Sequence, residues 1–321
     1  MVSFDVVVIG RNEGLRLGAA LRAAKGLARR VIYVDSGSRD DSVTQARALG
    51  ITVCALDPVR PFTAARARNE GFAALGPDRA EFVHFVDGDC ILQPDWPAQA
   101  LDFMREHPQA GLVFGRQFEA RPDASVYNFL TDWEWDKPAG RDALSAGCVL
   151  VRTTAMVELG GYDEALIAGE DDDFCLRLQA AGWETWRIGG AMTEHDARLL
   201  SFAPWWRRML RAGYSYGALG QRHAQKGRAQ RVRALVWGGV VPLLGLIGLV
   251  FWLPLFLLMA LAIALSLTRQ TRRFMRMELD PDRAFRAASV LMLGKHAELQ
   301  GLVRFWRDQR AGRVSGLIEY K

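Results

Sequence analysis

The sequence predicts an α/β protein with a doubly wound, mostly parallel sheet, followed by a C-terminal transmembrane helical hairpin. Three observations predict it. Short apolar runs alternate with helix-period segments through the first two hundred residues. Two of those runs, the ones reaching Asp35 and Asp87, deliver a carboxylate at their ends. Finally, the chain from Ala234 to Leu267 contains no charged residue.

Phe4 to Ile9 reads as the first strand. Gly14 to Leu27 has helical spacing, with Leu15, Ala19 and Leu21 to Ala24 on its apolar side. Val31 to Asp35, Ile51 to Ala55 and Phe82 to Val86 are the next strands, separated by helices over Ser42 to Leu49 and Ala64 to Leu75. Right-handed crossovers place the loops after these strands on one sheet edge. Asn12, Asp35 and Asp87 are therefore expected around one crevice. Leu112 to Phe114 and Cys148 to Val151 read as further strands, and Asp171 to Ala181 as a helix closed by Gly182.

In a chain of 321 residues, 24% charged and 50% hydrophobic, a large core is affordable and disorder is excluded. The net charge is +5, much of it in Arg-rich stretches after position 200. Basicity beside an apolar segment favours an anionic membrane surface, and no nucleic-acid partner is expected. The four cysteines form no C-x-x-C pair, so neither a zinc site nor a disulfide framework is expected. The apolar run after Asp5 is short and lacks a basic start, which suits a first strand and not a signal peptide.

As one helix, the uncharged span would be about 50 Å long, against a hydrocarbon core of about 30 Å. Pro254, beside Trp252, marks where a hairpin turns, with a short second limb; a single tilted helix and a buried soluble helix pair are the alternatives. Arg228, Arg231 and Arg233 precede the span, and Arg269, Arg272, Arg273 and Arg276 follow it. If positive charge stays inside, both ends are cytoplasmic. This places the protein at the inner (cytoplasmic) membrane with its first domain facing the cytoplasm. The expected domains are a catalytic domain over 1–225, a transmembrane hairpin over 234–267 and a basic helical tail over 268–321. Pro204 to Tyr216 is aromatic-rich and amphipathic, and either lies in the membrane interface or packs on the domain. Ala284 to Arg310 reads as basic helix, with Phe305 and Trp306 as interfacial anchors.

Chemistry concentrates in a few motifs. Phe82 to Val86 ends in Asp87-Gly88-Asp89, two carboxylates at a strand end, which suits a divalent cation holding a diphosphate and equally suits a tight turn. Asp35, in Val34-Asp35-Ser36-Gly37-Ser38, is placed to accept hydrogen bonds from a nucleoside. No G-x-G-x-x-G follows the first strand and no G-x-x-x-x-G-K-[ST] occurs, so bound phosphates need metal and arginines. Gly169-Glu170-Asp171-Asp172-Asp173 opens a helix. Capping uses one or two carboxylates, and the excess implies a raised pKa suited to a general base.

Together these residues resemble the family 2 glycosyltransferases with the nucleotide-sugar-binding GT-A fold, over about Phe4 to Ser201. Ile9-Gly10-Arg11-Asn12-Glu13, the Asp35 loop, Ala65-Arg66-Ala67-Arg68-Asn69-Glu70-Gly71, Asp87-Gly88-Asp89, and Gly160-Gly161-Tyr162-Asp163-Glu164 ahead of Glu170-Asp171 follow the family's motif order. The resemblance implies Asp171 as the base, beside Glu170. It implies Asn12, Glu13, Asp35, Arg68 and Asp87 around the donor; apart from the resemblance, Arg207, Arg208 and Arg211 are candidates for pairing with the departing diphosphate. Asp89 and His195 would hold Mg²⁺ or Mn²⁺. The implied reaction is inverting, metal-dependent transfer from a UDP- or GDP-sugar to a hydroxyl or phosphate acceptor, lipid-linked or glycan. Ser36 stands where the family often has a second Asp. The absent Gln-x-x-Arg-Trp signature argues against processive polymer synthesis. A sugar-phosphate nucleotidyltransferase and a non-catalytic membrane-anchored nucleotide-sugar-binding protein are the rival readings.

Overall fold

The computed structural model describes residues 4–145 and 147–312. In chain order the elements are β1 (Phe4–Gly10), α1 (Leu15–Leu27), β2 (Arg30–Asp35), α2 (Ser42–Ala48), β3 (Thr52–Ala55), α3 (Ala64–Ala74) and β4 (Phe82–Asp87). Then follow β5 (Cys90–Leu92), α4 (Trp96–Glu106), β6 (Ala110–Glu119), α5 (Val126–Trp135), β7 (Gly140–Arg141), β8 (Val149–Arg152), α6 (Thr153–Glu158), α7 (Glu170–Ala180) and β9 (Glu184–His195). The C-terminal helices are α8 (Phe202–Arg222), α9 (Arg228–Leu235), α10 (Val241–Phe251), α11 (Leu253–Met275) and α12 (Pro281–Arg310). The chain forms two compact units: residues to Arg121 with Asp132–Ala197, and Pro122–Thr131 with the chain from Arg198 on.

The first unit is built on one sheet ordered β3-β2-β1-β4-β8-β6-β9-β5, with β7 on β9. Strands β3, β2, β1 and β4 run parallel. They read as unbroken apolar runs where both faces are covered, as in Val6, Val7 and Val8 of β1. Strand β8 enters antiparallel between β4 and β6, β6 and β9 are parallel, and β5 and β7 run against β9. The chain winds outward from β1 to β3 and then returns to β4 on β1's other side, so the switch point lies between β1 and β4. Ligand crevices open beyond the carboxyl ends of strands at such a point. Gly71 lets α3 lie close to this sheet, because a Cβ there would run into the Val7 and Val34 side chains.

The second unit is helical. Trp205 and Met209 of α8 pack with Ala297 of α12. The residues expected at 204–216 as an amphipathic helix thus form part of a longer helix that groups with the C-terminal helices. Phe305, expected as an interfacial anchor, is instead buried edge-on against Tyr214, with ring centroids 5.3 Å apart. Trp306 is exposed.

Residues Arg228–Phe251 form one helical rod containing a π-helical turn at Val236–Val240. Trp252 breaks it with extended backbone, and α11 begins at Leu253 with Pro254 in its first turn. Proline there clashes with the carbonyl four residues back and has no N–H to give, so the first helix cannot continue. A single tilted helix is thereby excluded. The second limb is longer than expected, because α11 continues through Arg269, Arg272 and Arg273 to Met275. Both limbs are long and apolar enough to cross a membrane, with mean hydropathy 2.3 and 1.7 over their most apolar 18 residues. Phe251, Trp252, Leu257, Leu258, Leu261 and Leu265 among them are exposed.

His84 is the polar exception inside β4. Its Nδ1 faces the Phe85 carbonyl at 2.9 Å and its Nε2 accepts from Trp96 Nε1–H at 3.0 Å. The carbonyl can only accept, so the neutral Nδ1–H tautomer is held. Burial pushes the imidazole down to about 4. The unfolded chain therefore takes up a proton first, near the ordinary 6.5, and stability falls as pH drops from there toward about 4. Urea unfolding of the detergent-solubilised chain should show a loss of about 3 kcal/mol over that window, and His84→Gln should flatten it. An unchanged slope in the variant would remove His84 as its source.

Candidate active site

Three strand ends build the crevice. In the parallel register Gly10 pairs with Asp35 and Ile9 with Asp87, so β1 carries an aspartate on either side of its end. Asp35 is buried and largely committed to its own loop. Tyr33 Oη–H donates to its Oδ1 at 2.9 Å, and the Gly37 and Ser38 N–H groups donate to its Oδ2 at 3.1 and 2.9 Å. Asn12, at a positive φ of 55°, ties the first loop to this one. Its N–H donates to Ser38 Oγ at 3.0 Å and its Oδ1 accepts from Arg39 N–H at 2.8 Å. Glu13 is buried and pairs with Arg16 Nη2 at 2.8 Å. Gly88 passes tightly beside it: a Cβ there would meet Glu13 Cγ at 3.0 Å and the Ile9 carbonyl at 3.1 Å.

Arg68 sits at the centre. Its guanidinium, in a side chain only 2% exposed, reaches Asp87 at 3.2 Å, Glu170 at 3.1 Å and Asp171 at 2.9 Å. The Tyr162 ring lies 5.3 Å from it. Burial alone would lower the Arg68 pKa, but Asp171 and Asp87 outweigh it and hold the group firmly charged. At the start of α7, Glu170 is closed off at 4% side-chain exposure while Asp171 is 21% exposed. Asp173 is engaged elsewhere, with Arg177 at 2.8 Å. Burial pushes the Asp171 carboxyl well above the usual carboxylate range; Arg68 opposes this and Glu170, Asp87 and Asp172 reinforce it. Of the acidic run, Asp171 combines access with a raised proton affinity.

A second cluster forms at β9. His195 pairs with Glu119 on β6 and with Cys90 on β5, and Asp89 immediately precedes Cys90. His195 Nε2 stands 3.2 Å from Asp89 Oδ2, with Arg16 Nη1 3.9 Å from the same oxygen. Trp135 meets the imidazole edge-on at 4.7 Å. Donor atoms of Asp89, Cys90 and His195 lie within 4.8 Å of one another. A carboxylate oxygen and an imidazole nitrogen this close fit a shared divalent cation of the Mn²⁺ type, whereas the thiol of Cys90 is too soft a ligand for it.

The structure thus brings Asn12, Glu13 and Asp35 together as one wall, Arg68, Asp87, Glu170 and Asp171 as a cluster, and Asp89 with His195 as a pair. Arg208 lies on α8 in the second unit, half-buried. Sequence reading missed Glu119, Trp135 and Arg16, whose residue types carry no motif. It also missed what Asn69 does. Asn69 accepts from Tyr162 N–H at 2.8 Å and donates to the Tyr162 carbonyl at 2.9 Å and Glu164 at 3.1 Å, which fastens the Tyr162 loop to α3.

An open α/β sheet with a paired-aspartate turn at its switch point and a carboxylate poised on the facing helix defines a GT-A nucleotide-sugar fold. The chain belongs to glycosyltransferase family 2. "Glycosyl transferase family 2" matches residues 5–141 and "Glycosyl transferase family group 2" residues 82–269. The chain is 29% identical over 237 residues to a pre-mycofactocin glycosyltransferase of Mycobacterium tuberculosis, covering 69% of this chain and 48% of that protein. It therefore spans about half the length of this curated relative. Among solved structures, the mannosyltransferase PcManGT from Pyrobaculum calidifontis, in complex with GDP-Man and Mn²⁺, superposes with a TM-score of 0.65 at 14% identity, over 96% of this chain and 88% of that one. S. aureus TarS in complex with UDP-GlcNAc gives 0.50 at 14% identity, over 97% and 92%. These likenesses show the fold.

Arg68→Met keeps much of the volume and strands three carboxylates. We expect a loss of about 3 kcal/mol in urea unfolding at pH 7, shrinking as pH falls and the carboxylates protonate. Wild-type stability in this variant would show that the guanidinium does not hold the cluster.

Proposed function

We propose that the chain transfers a sugar, with inversion at the anomeric carbon, from a UDP- or GDP-sugar to a hydroxyl or phosphate acceptor. The observation that carries this reading is the Asp89–His195 pairing at 3.2 Å, beside the cluster that holds Asp171. Asp89 and His195 would hold Mg²⁺ or Mn²⁺, which when bound neutralises charge on the departing nucleoside diphosphate. The same fold is solved with GDP-Man and Mn²⁺ and with UDP-GlcNAc in PcManGT and TarS.

The chain's own residues divide the remaining work. Asn12, Glu13 and Asp35 shape the nucleoside wall, Asp35 mainly by ordering its loop. Arg68 holds Asp87 and Asp171 at fixed distance, and its positive charge moderates the proton affinity of Asp171. Asp171 takes the proton of the attacking acceptor hydroxyl, and its partial exposure suits an acceptor arriving from solvent. A carboxylate in this role forms no covalent link to the sugar, which is why inversion is proposed.

The hairpin of α9–α11 is proposed to cross the cytoplasmic membrane twice, with its arginine-rich flanks and the catalytic unit on the cytoplasmic side. Limbs of 24 and 23 residues, about 36 and 35 Å at 1.5 Å per residue, reach across a hydrocarbon core of about 30 Å with their arginine-bearing ends toward the headgroups. A lipid-linked or glycan acceptor is proposed from that location alone.

Asp171→Asn should lower kcat about 10²- to 10⁴-fold and leave the donor Kd unchanged in a calorimetric titration. Because the base works deprotonated and its pKa is raised, wild-type kcat should fall on the acid side at a pH above the ordinary carboxylate value of 3.8. Normal turnover by the variant would move the base elsewhere. Asp89→Ala should abolish the metal dependence of donor binding, and unaltered dependence would sink the ligand assignment.

A further inference from the structure

Of the two ring nitrogens of His195, Nε2 faces Asp89 and Nδ1 faces another carboxylate. Glu119 Oε2 stands 3.6 Å from Nδ1, and the Glu119 side chain is fully buried. This is a designed adjacency at the level of the sheet, because Glu119 and His195 are register partners on the parallel strands β6 and β9. The Ala120 N–H donates to the His195 carbonyl at 2.8 Å, which fixes the two backbones beside each other.

Glu119 is itself held. Ala197 N–H donates to its Oε2 at 3.0 Å, Arg121 N–H approaches its Oε1 at 3.4 Å, and its own N–H donates to Asp132 Oδ1 at 2.9 Å. A carboxylate anchored by backbone donors, with a negative oxygen turned to an imidazole, cannot swing away when the imidazole changes partner. Trp135 limits ring rotation from the other side, meeting the imidazole at 83° and 4.7 Å.

An imidazole ligates through a nitrogen that carries no proton, and the partner of its other nitrogen decides which one that is. With a cation between Asp89 and Nε2 the imidazole proton belongs on Nδ1, where the Glu119 carboxylate, 3.6 Å away and beyond hydrogen-bond reach, favours it by charge. We propose that Glu119 is a positioning residue that fixes the tautomer and orientation of His195, and thereby sets the affinity of the site for a divalent cation. The inference rests on the metal reading given above for Asp89 and His195. It adds a residue outside every motif, acting through the histidine and touching neither donor nor acceptor. Removing such an outer carboxylate typically weakens metal binding 10- to 100-fold.

The test titrates Mn²⁺ alone into the full chain in detergent and follows the free Mn²⁺ signal by electron paramagnetic resonance. Glu119→Gln keeps an oxygen for the backbone donors and loses the charge, and it should weaken Mn²⁺ binding about tenfold. Glu119→Ala should approach 100-fold. In a His195→Ala background, Glu119→Gln should add nothing, because its route to the metal has gone. A thermal unfolding midpoint recorded alongside separates a fold defect from a site defect. Wild-type affinity in Glu119→Gln, or the same further loss in the His195→Ala background, overturns the positioning role while the metal site stands. If wild type binds no Mn²⁺ saturably, or Asp89→Ala binds it equally well, the metal reading falls and takes this inference with it.

Discussion

Gly10 ends β1 with Asp35 as its register partner on one side, and Ile9 faces Asp87 on the other. The same constraint governs the far half of the sheet, where His195 ends β9 between Glu119 and Cys90. Strand register is set by burial of apolar faces, and a slip by one residue would turn each of these side chains to the opposite face. The core residues Val6, Val8, Phe85 and Val86 therefore determine which polar groups meet in the crevice. The site is a consequence of where well-packed strands stop.

Charge explains why those groups stay assembled. One buried guanidinium faces Asp87, Glu170 and Asp171, and one imidazole lies between Asp89 and Glu119. Each cluster carries more carboxylates than cations. Such an excess costs stability unless protons or a bound cation offset it, and burial answers with a raised proton affinity at Asp171. The same excess makes a divalent cation, arriving alone or with a diphosphate, the natural complement of the crevice.

Much of this was legible in the chain. The parallel strands β1 to β4 announce themselves as Val- and Phe-rich runs, and Asp35, Asp87 and Asp89 fall at their ends because those runs are short and clean. Gly71 was visible as a motif glycine, and its contact with Val7 and Val34 supplies the reason. Strand β9 was not legible, since Gly189, Gly190 and Glu194 interrupt its pattern and register shifts bend its pairing with β6. His195 was reached through motif order, without the strand that holds it. Glu119 was invisible for the related reason that β6 runs well past its apolar stretch at Leu112 to Phe114. The grouping of α8 with the C-terminal helices is likewise a long-range packing fact, which helical periodicity at 204–216 does not encode.

The claim at the centre of this account is that Asp89 and His195, brought together by the β5–β9 pairing, hold one cation. Electron–nuclear double resonance on the Mn²⁺-loaded chain reads this directly. A nitrogen hyperfine coupling from a ligated imidazole should be present in wild type and absent in His195→Ala, because among the described residues His195 is the histidine grouped with Asp89. Mn²⁺ bound with oxygen ligands only, or a nitrogen coupling that survives His195→Ala, would contradict the account.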